Sequence, residues 1–469
     1  MSQYLYNFAN RIINSVSVIV FALILGNLLV QEEVGIYAVF VMSSAYGVAI
    51  LGIQVNVALM QKLNDIQNEK VKEQYYTAGL VTTLFFGILI IAIFNIFSTP
   101  MSGLFKLEDI QIIFYSSILA FLIILRSYIT HILQSLLENK YIFYSAVLAF
   151  IVTIISFFIT YFSGYKLEGA IYAIYAGHTV FILTGFIKIS KIYKIKLDNK
   201  FYHYIKSILS FSTVVYFVSL AAFLDNNIDL LLVNYFLTKE DVAVYNYAIK
   251  IAALFLLVGA SISNVSFPKV AALYSKNEME KISVLMEKIL KTNFFIVMIL
   301  SILFLSVSKD IVDFILPPEY NKINDLLYLL VPGIVLFAGF FSIKFLFNAI
   351  KMPSLGLIVD WGAFFINLIL SLLLIPIFGL IGAAASTITS FIFRPMMLIY
   401  LINKKTKISY NIKYLYLILP LYFLFTFFIF LFDNNVTIKV LIAITFICIL
   451  TFIIKPYNYL NYKFKGNHD

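Results

Sequence analysis

The chain has 469 residues, 62% of them hydrophobic and only 12% charged, with a formal net charge of +10 at pH 7. Soluble domains are about 45–50% apolar and about 25% charged, so this chain cannot cover a water-facing surface and lipid must be its solvent. That excludes a soluble enzyme, and the positive balance needs no nucleic acid, because basic loops lying against anionic membrane lipids account for it.

Apolar runs of the roughly 20 residues that a crossing needs recur near 9–29, 34–60, 77–97, 111–134, 143–162, 168–187, 208–236, 241–266, 289–308, 325–349, 354–376, 379–401, 414–432 and 437–454. They predict an all-α integral membrane protein of about fourteen transmembrane helices. Met1 to Arg11 is fairly polar, carries one basic side chain and is followed by no small-x-small cleavage pattern, so the first helix reads as an uncleaved signal anchor. Gln31-Glu32-Glu33 and Asp433-Asn434-Asn435 make tight hairpins. A long basic stretch, 188–207, separates the sixth and seventh runs. Cys448, the single cysteine, lies in the last run and forms neither an intramolecular disulfide nor a metal cluster.

With the N-terminus in the cytoplasm, the even-numbered connections and both tails hold 24 of the 34 Lys and Arg residues, and the opposite side holds six. The cytoplasmic set runs from Arg11 through Lys188, Lys191, Lys194, Lys196, Lys200 and Lys206 to Lys351, Lys407, Lys455, Lys463 and Lys465. The outer set is Lys106, Lys166, Lys239, Lys309, Lys322 and Lys439. Such a bias predicts an even number of spans and cytoplasmic termini.

A weak internal repeat accompanies this layout. Residues 25–37, LGNLLVQEEVGIY, lie against 233–245, VNYFLTKEDVAVY, so that Leu29, Glu32, Val34 and Tyr37 match Leu237, Glu240, Val242 and Tyr245. Leu167, Gly169 and Ala170 likewise match Leu380, Gly382 and Ala383. In this register each half carries six spans and both halves enter the membrane in the same direction. The expected organisation is an N-terminal six-helix lobe (1–187), a basic cytoplasmic linker (188–207), a C-terminal six-helix lobe (208–401), and two extra helices with a tail (402–469). Parallel repeats of this kind mark transporters, with the substrate path between lobes near the midplane.

Ionisable groups inside spans cost roughly 2.5–3.5 kcal/mol each on insertion scales and therefore need a partner, a wet cavity or a nearby interface. Here they are Arg126, Lys250, Lys344 and Arg394, with Asp225, Asp229 and Asp360; His178 is a further titratable group. Arg126, Lys344 and Arg394 each fall roughly 8–12 Å from the cytoplasmic end of their spans, and Arg11 lies toward the same side. Together with Lys250 they are candidates for a cationic cavity that grips phosphate oxygens; snorkelling to headgroups is the plainer alternative. On an antiparallel hairpin Asp229 and Lys250 come to nearly equal depth, which predicts an ion pair. Asp225 lies one turn deeper on the same face as Asp229, so the Asp229–Lys250 pair reads as a charge pair lining the cavity, or the carboxylates as a cation or proton site in which Asp225 or Asp229 titrates. Asp360 is placed to neutralise Lys344 or Arg394. Thr130, His131, Gln134, Asn348 and Ser390 add polar neighbours, and Pro332-Gly333 and Pro395 supply bending points.

The pattern Asp229…Val233-Asn234-Tyr235-Phe236-Leu237…Val242-Ala243-Val244-Tyr245, with a span ending near Phe267-Pro268, resembles the polysaccharide transporters of the multidrug/oligosaccharidyl-lipid/polysaccharide exporter superfamily. So does the glycine-alanine entry Pro376-Ile377-Phe378-Gly379-Leu380-Ile381-Gly382-Ala383-Ala384-Ala385. The resemblance covers essentially the whole chain. The basic stretch 188–207 and the fourteen spans look most like flippases of the Wzx type. That likeness implies carriage of an undecaprenyl-pyrophosphate oligosaccharide, the repeat unit of O-antigen or capsule, across a bacterial cytoplasmic membrane. It also implies polysaccharide polymerase and chain-length proteins as partners.

No phosphate-binding loop, His-Glu-x-x-His, paired Cys-x-x-Cys or serine nucleophile elbow occurs, so neither an enzyme nor a cofactor or metal site is expected. Three rivals stay open. A membrane polysaccharide polymerase would carry a large outer loop, whereas the outer connections near 98–110 and 309–324 are short. A multidrug or cation exporter of the same superfamily would favour a carboxylate-lined cavity. A flippase of lipid-linked peptidoglycan precursor would share the physics and differ in its headgroup contacts.

Overall fold

A computed structural model describes residues 3–198, 200–350, 352–406, 408 and 411–454. Lys351, Lys407, Lys455, Lys463 and Lys465 lie outside the described residues, as does the side chain of Asn348. Among the described residues the secondary structure is helical throughout, without strands. In lipid this is the expected solution, because helices satisfy their backbone groups within one segment.

The chain divides into two compact units, 1–227 with 237–243, and 228–236 with 244–469. The first contains α1 (Gln3–Leu28), α2 (Gln31–Leu51), α3 (Val55–Asp65), α4 (Glu69–Ile96), α5 (Ser98–Leu104), α6 (Gln111–Ser135), α7 (Asn139–Phe162) and α8 (Leu167–Ser190). α9 (Phe201–Phe236) and the first turn of α10 (Lys239–Ser275) carry the division. The second unit holds the rest of α10, α11 (Met279–Ile315), α12 (Lys322–Ala349), α13 (Pro353–Lys405), α14 (Leu415–Leu431) and α15 (Val436–Ile454).

In the first unit α6 packs against α2, α3, α4 and α8, and α7 lies along α8. Gly177 makes the α7–α8 approach close: a Cβ there would meet Thr153 Oγ1 at 2.0 Å and the Ala149 carbonyl oxygen at 2.9 Å. Small residues at such crossings let helix backbones approach where lipid gives no hydrophobic drive. The expected second span, 34–60, is broken. Ile53 and Gln54 take left-handed φ of 35° and 42°, and helix resumes at Val55 as α3. The basic stretch after α8 is packed as a strap. Tyr193 is buried against Tyr76 at 5.6 Å. The Lys196 amide donates to Thr77 Oγ1 at 2.9 Å, the Lys196 ammonium pairs with Glu73, and Gln74 Nε2 donates to Asp198 Oδ2 at 2.8 Å.

In the second unit α12 packs between α11 and α13, and α14 and α15 pack on α11. A polar cluster seats the last two helices. Lys309 Nζ lies 2.9 Å from Asp433 Oδ2 and donates to Asn434 Oδ1 at 2.7 Å. Tyr328 donates to Asp433 Oδ1 at 2.6 Å. Lys439, 0% exposed, sits 3.5 Å from Asp310 and 3.6 Å from Asp433.

Among the described residues eleven helices are long and apolar enough to cross a membrane, or twelve if the pair 201–217 and 219–236, bent by 41°, counts as one span. The expected fourteen differ from this at two places. α14 has 17 residues, short for a crossing, and α13 is one helical run of 53 residues. At 1.5 Å per residue α13 would be about 80 Å long, more than twice a ~30 Å hydrocarbon core. It is interrupted at Gly379, where φ is +57° and ψ is −133°. Nothing lies within 4 Å of a Cβ built there, so the demand for glycine is conformational rather than steric. Gly379→Ala is expected to cost about 1–2 kcal/mol, seen as a lower unfolding midpoint of the purified protein. An unchanged midpoint would show that the break does not need glycine.

Candidate functional site

The ionisable residues inside the spans occupy separate places in the two units. In the first unit, α6 presents Arg126 toward α1 and α8. Its Nη2 donates to Asn14 Oδ1 at 3.1 Å, and its Cζ lies 4.5 Å from the centre of the Phe181 ring. The ring supplies a cation–π contact, and Asn14 fixes the plane of the guanidinium. Among the described residues no carboxylate pairs with it, so the positive charge is oriented without being neutralised. The polar neighbours on α6 turn back on their own helix: Thr130 Oγ1 donates to the Arg126 carbonyl at 2.8 Å, and His131 Nδ1 donates to the Ser127 carbonyl at 2.8 Å. His178, one turn before Phe181, has a buried Nδ1 with no hydrogen-bond partner among the described residues. Arg11 is exposed on α1, one turn before Asn14.

In the second unit, Asp229 is 3% exposed. It accepts from the Tyr245 hydroxyl at 2.7 Å, from Thr387 Oγ1 at 3.0 Å, and from the Leu230 amide at 3.0 Å. The expected ion pair with Lys250 is not formed among the described residues. Tyr245 fills the position opposite Asp229, and five residues further along α10 turn Lys250 roughly 140° away from it. Asp225, four residues earlier on α9, is also buried. Lys344 Nζ lies 2.9 Å from Asp360 Oδ1, and Asp360 is buried while Lys344 remains partly exposed. Arg394 is 3% exposed. Its Cζ lies 4.8 Å from the Phe337 ring and 5.4 Å from the Phe391 ring, and those rings stack on each other at 5.6 Å with planes 5° apart.

The positions therefore separate by environment. Arg126 and Arg394 are stacked on aromatic faces, a role to which guanidinium is suited and ammonium is not. Lys344 is neutralised by a carboxylate. Asp229 is a carboxylate held by neutral donors, an arrangement able to receive a proton or a small cation. Sequence reasoning missed Asn14, Phe181, Tyr245, Thr387, Phe337 and Phe391. Tyr245 and Thr387 are polar groups in the middle of apolar runs, which is a readable signal. The phenylalanines carry none, being three of 47 in the chain.

A family described as "Polysaccharide biosynthesis protein" matches residues 24–325. The chain is 26% identical over 234 residues to the probable low-salt glycan biosynthesis flippase Agl15 of Haloferax volcanii, covering 50% of this chain and 49% of that protein. It is 28% identical over 232 residues to an uncharacterized membrane protein of Methanocaldococcus jannaschii, covering 48% and 45%. The chain thus spans about half the length of the curated relatives it matches. Among solved structures it is similar to a lipid II flippase, MurJ, in an inward closed conformation. There the TM-score is 0.74 and the identity 19%, over 98% of this chain and 99% of that one. An inward-facing multidrug-resistance transporter of the MATE family gives a TM-score of 0.64 and 16% identity, over 86% and 96%. At these identities the likeness is one of fold.

Proposed function

Since the chain belongs to the polysaccharide biosynthesis protein family, we propose that it is a flippase moving a polyprenyl-pyrophosphate-linked oligosaccharide across the cytoplasmic membrane. The finer reading is an undecaprenyl-linked repeat unit of O-antigen or capsule, handed on to a polymerase and chain-length proteins. The observation that carries the proposal is the treatment of Arg126 and Arg394. Both guanidinium groups are held inside spans against aromatic rings, and guanidinium is the side chain whose fork of donors matches phosphate oxygens. Arg11, exposed on α1, extends this basic character toward the cytoplasmic leaflet. The names of the relatives support the same class of cargo.

In this reading the protein crosses the membrane fourteen times, with α13 crossing on each side of Gly379 and α14 crossing once. Both termini are cytoplasmic, and the two halves act as six-helix lobes followed by two extra helices. Asp229, with Asp225 near it on α9, is the coupling group that takes up a proton or cation during the cycle. Lys250 and the Lys344–Asp360 pair tune the local charge. A cation exporter of the same superfamily is the competing reading, favoured by that single feature, a buried carboxylate held by hydroxyls.

The test is expression in a bacterium deleted for its own repeat-unit flippase, with surface glycan blotted and lipid-linked intermediates quantified in the same cells. Restored glycan with depleted intermediates is the expected result. Failure across several repeat-unit chemistries, together with acquired resistance to cationic drugs, would transfer the assignment to the exporter. Asp229→Asn is expected to lower the rate of rescue at least tenfold while the amount of protein in the membrane is unchanged.

A further inference from the structure

The first turns of α1 carry polar side chains at 7, 10, 14 and 17, namely Asn7, Asn10, Asn14 and Ser17. Steps of three, four and three residues place them on one face of a helix. In a helix that runs through lipid this is the reverse of an apolar stripe, and each buried member needs a partner. The upper part of the stripe meets Arg126 through Asn14 at 3.1 Å. One turn nearer the start of the helix, Asn10 Nδ2 donates to the main-chain oxygen of Asn139, the first residue of α7, at 3.1 Å. Asn14 Nδ2 in turn donates to the Asn10 carbonyl at 2.7 Å. Asn14 thus ties α1 to α6, and Asn10 ties it to α7.

This fixed arrangement leaves specific acceptors unused. Asn10 is 7% exposed and Asn139 is 8% exposed, yet both Asn10 Oδ1 and Asn139 Oδ1 are buried without a hydrogen-bond partner among the described residues. An unmet buried acceptor is costly, because it has given up its hydrogen bond to water and received none in return. Two of them in adjoining side chains, beside an oriented guanidinium, define a chemistry: a ligand that donates hydrogen bonds to the carboxamide oxygens and accepts them from Arg126. A hydrocarbon does neither, and a simple anion only accepts. Glu138, the acid next to Asn139, is paired with Lys188 at 2.8 Å, so the place does not repel phosphate.

We infer that the Asn10–Asn139 pair reads the hydroxyl or acetamido groups of the first sugar of a lipid-linked glycan while Arg126 meets its phosphate. This inference rests on the flippase reading and assigns recognition of sugar to the first unit.

The full-length purified chain would be tested for binding to undecaprenyl diphosphate, and to undecaprenyl diphosphate carrying N-acetylglucosamine or galactose. The wild type is expected to bind at least one glycosylated lipid more tightly than the bare one. Asn10→Ala and Asn139→Ala are each expected to weaken the glycosylated lipid roughly tenfold, about 1.4 kcal/mol, with binding of bare undecaprenyl diphosphate held within about twofold. Arg126→Gln should weaken both lipids together. Retained wild-type affinity for the glycosylated lipids in both asparagine variants overturns the inference and leaves the flippase reading standing. Parallel loss of bare and glycosylated lipid by those variants also overturns it, since the asparagines then serve the fold or the phosphate. A wild type that binds none of the lipids removes the flippase reading itself, and this inference with it.

Discussion

Asp433→Ala lowers the unfolding midpoint of the purified protein by roughly 3 °C, the expected result of losing about 3 kcal/mol. Asp433 takes a hydrogen bond from Tyr328, an ion pair from Lys309, and lies 3.6 Å from Lys439. Lys439 is 0% exposed, so removal of the carboxylate leaves a buried ammonium with Asp310, at 3.5 Å, as its remaining carboxylate among the described residues. Breaking a buried pair by deleting one partner is costly because the other charge remains; the cost falls at the low end of its range because the Asp433 side chain keeps 24% of its exposure. The companion change Asp433→Ala with Lys439→Met removes the stranded charge and should recover more than half of the loss. Equal midpoints for wild type and Asp433→Ala would mean that the cluster does not hold the last helices in place. Acid should act in the same direction. Burial raises the Asp433 carboxyl, but the hydrogen bonds from Lys309 and Tyr328 outweigh it and hold it below the usual carboxylate range. A carboxylate with a lowered folded-state value adds stability above its ordinary titration range, and that stability is lost as pH falls through the lowered value.

The second large effect is on transport. Arg126→Ala and Arg394→Ala are each expected to reduce surface glycan at least tenfold in the complementation assay, with lipid-linked intermediates accumulating and membrane insertion intact. Arg→Lys at the same positions should give intermediate losses, because an ammonium keeps the charge but neither the planar stack nor the fork of donors. The aromatic platforms give this order its basis: Phe181 lies under Arg126, and the stacked rings of Phe337 and Phe391 both lie close to Arg394. Wild-type export by both alanine variants would sink the cationic reading.

Much of the fold was legible because lipid makes a blunt demand. Each crossing must be apolar and helical, so hydropathy alone places most of the helices. The same bluntness hides local breaks. Ile53 and Gln54 interrupt the second run by backbone conformation, which an apolar count does not register. Gly379 was visible as a glycine after Pro376, but its left-handed φ was not. The site was legible only in its charges. Arg126, Arg394, Lys344, Asp229 and Asp360 stand out against an apolar background, and matching of depth brought Lys344 and Asp360 within range of each other. It failed for Lys250, because depth ignores azimuth: Tyr245, not Lys250, turns toward Asp229. The phenylalanine platforms were invisible, since one aromatic side chain in an apolar helix reads like any other.

The strap formed by residues 191–198 also sets where this gene can be cut and rejoined. Tyr193, Lys196 and Asp198 belong structurally to the first turns of α4, through Tyr76, Glu73, Thr77 and Gln74. A recombinant that exchanges halves between relatives at residue 188 would therefore part the strap from its own seat, leaving Glu73 and Gln74 facing a foreign sequence. A junction at residue 200 or later keeps strap and seat in the same parent.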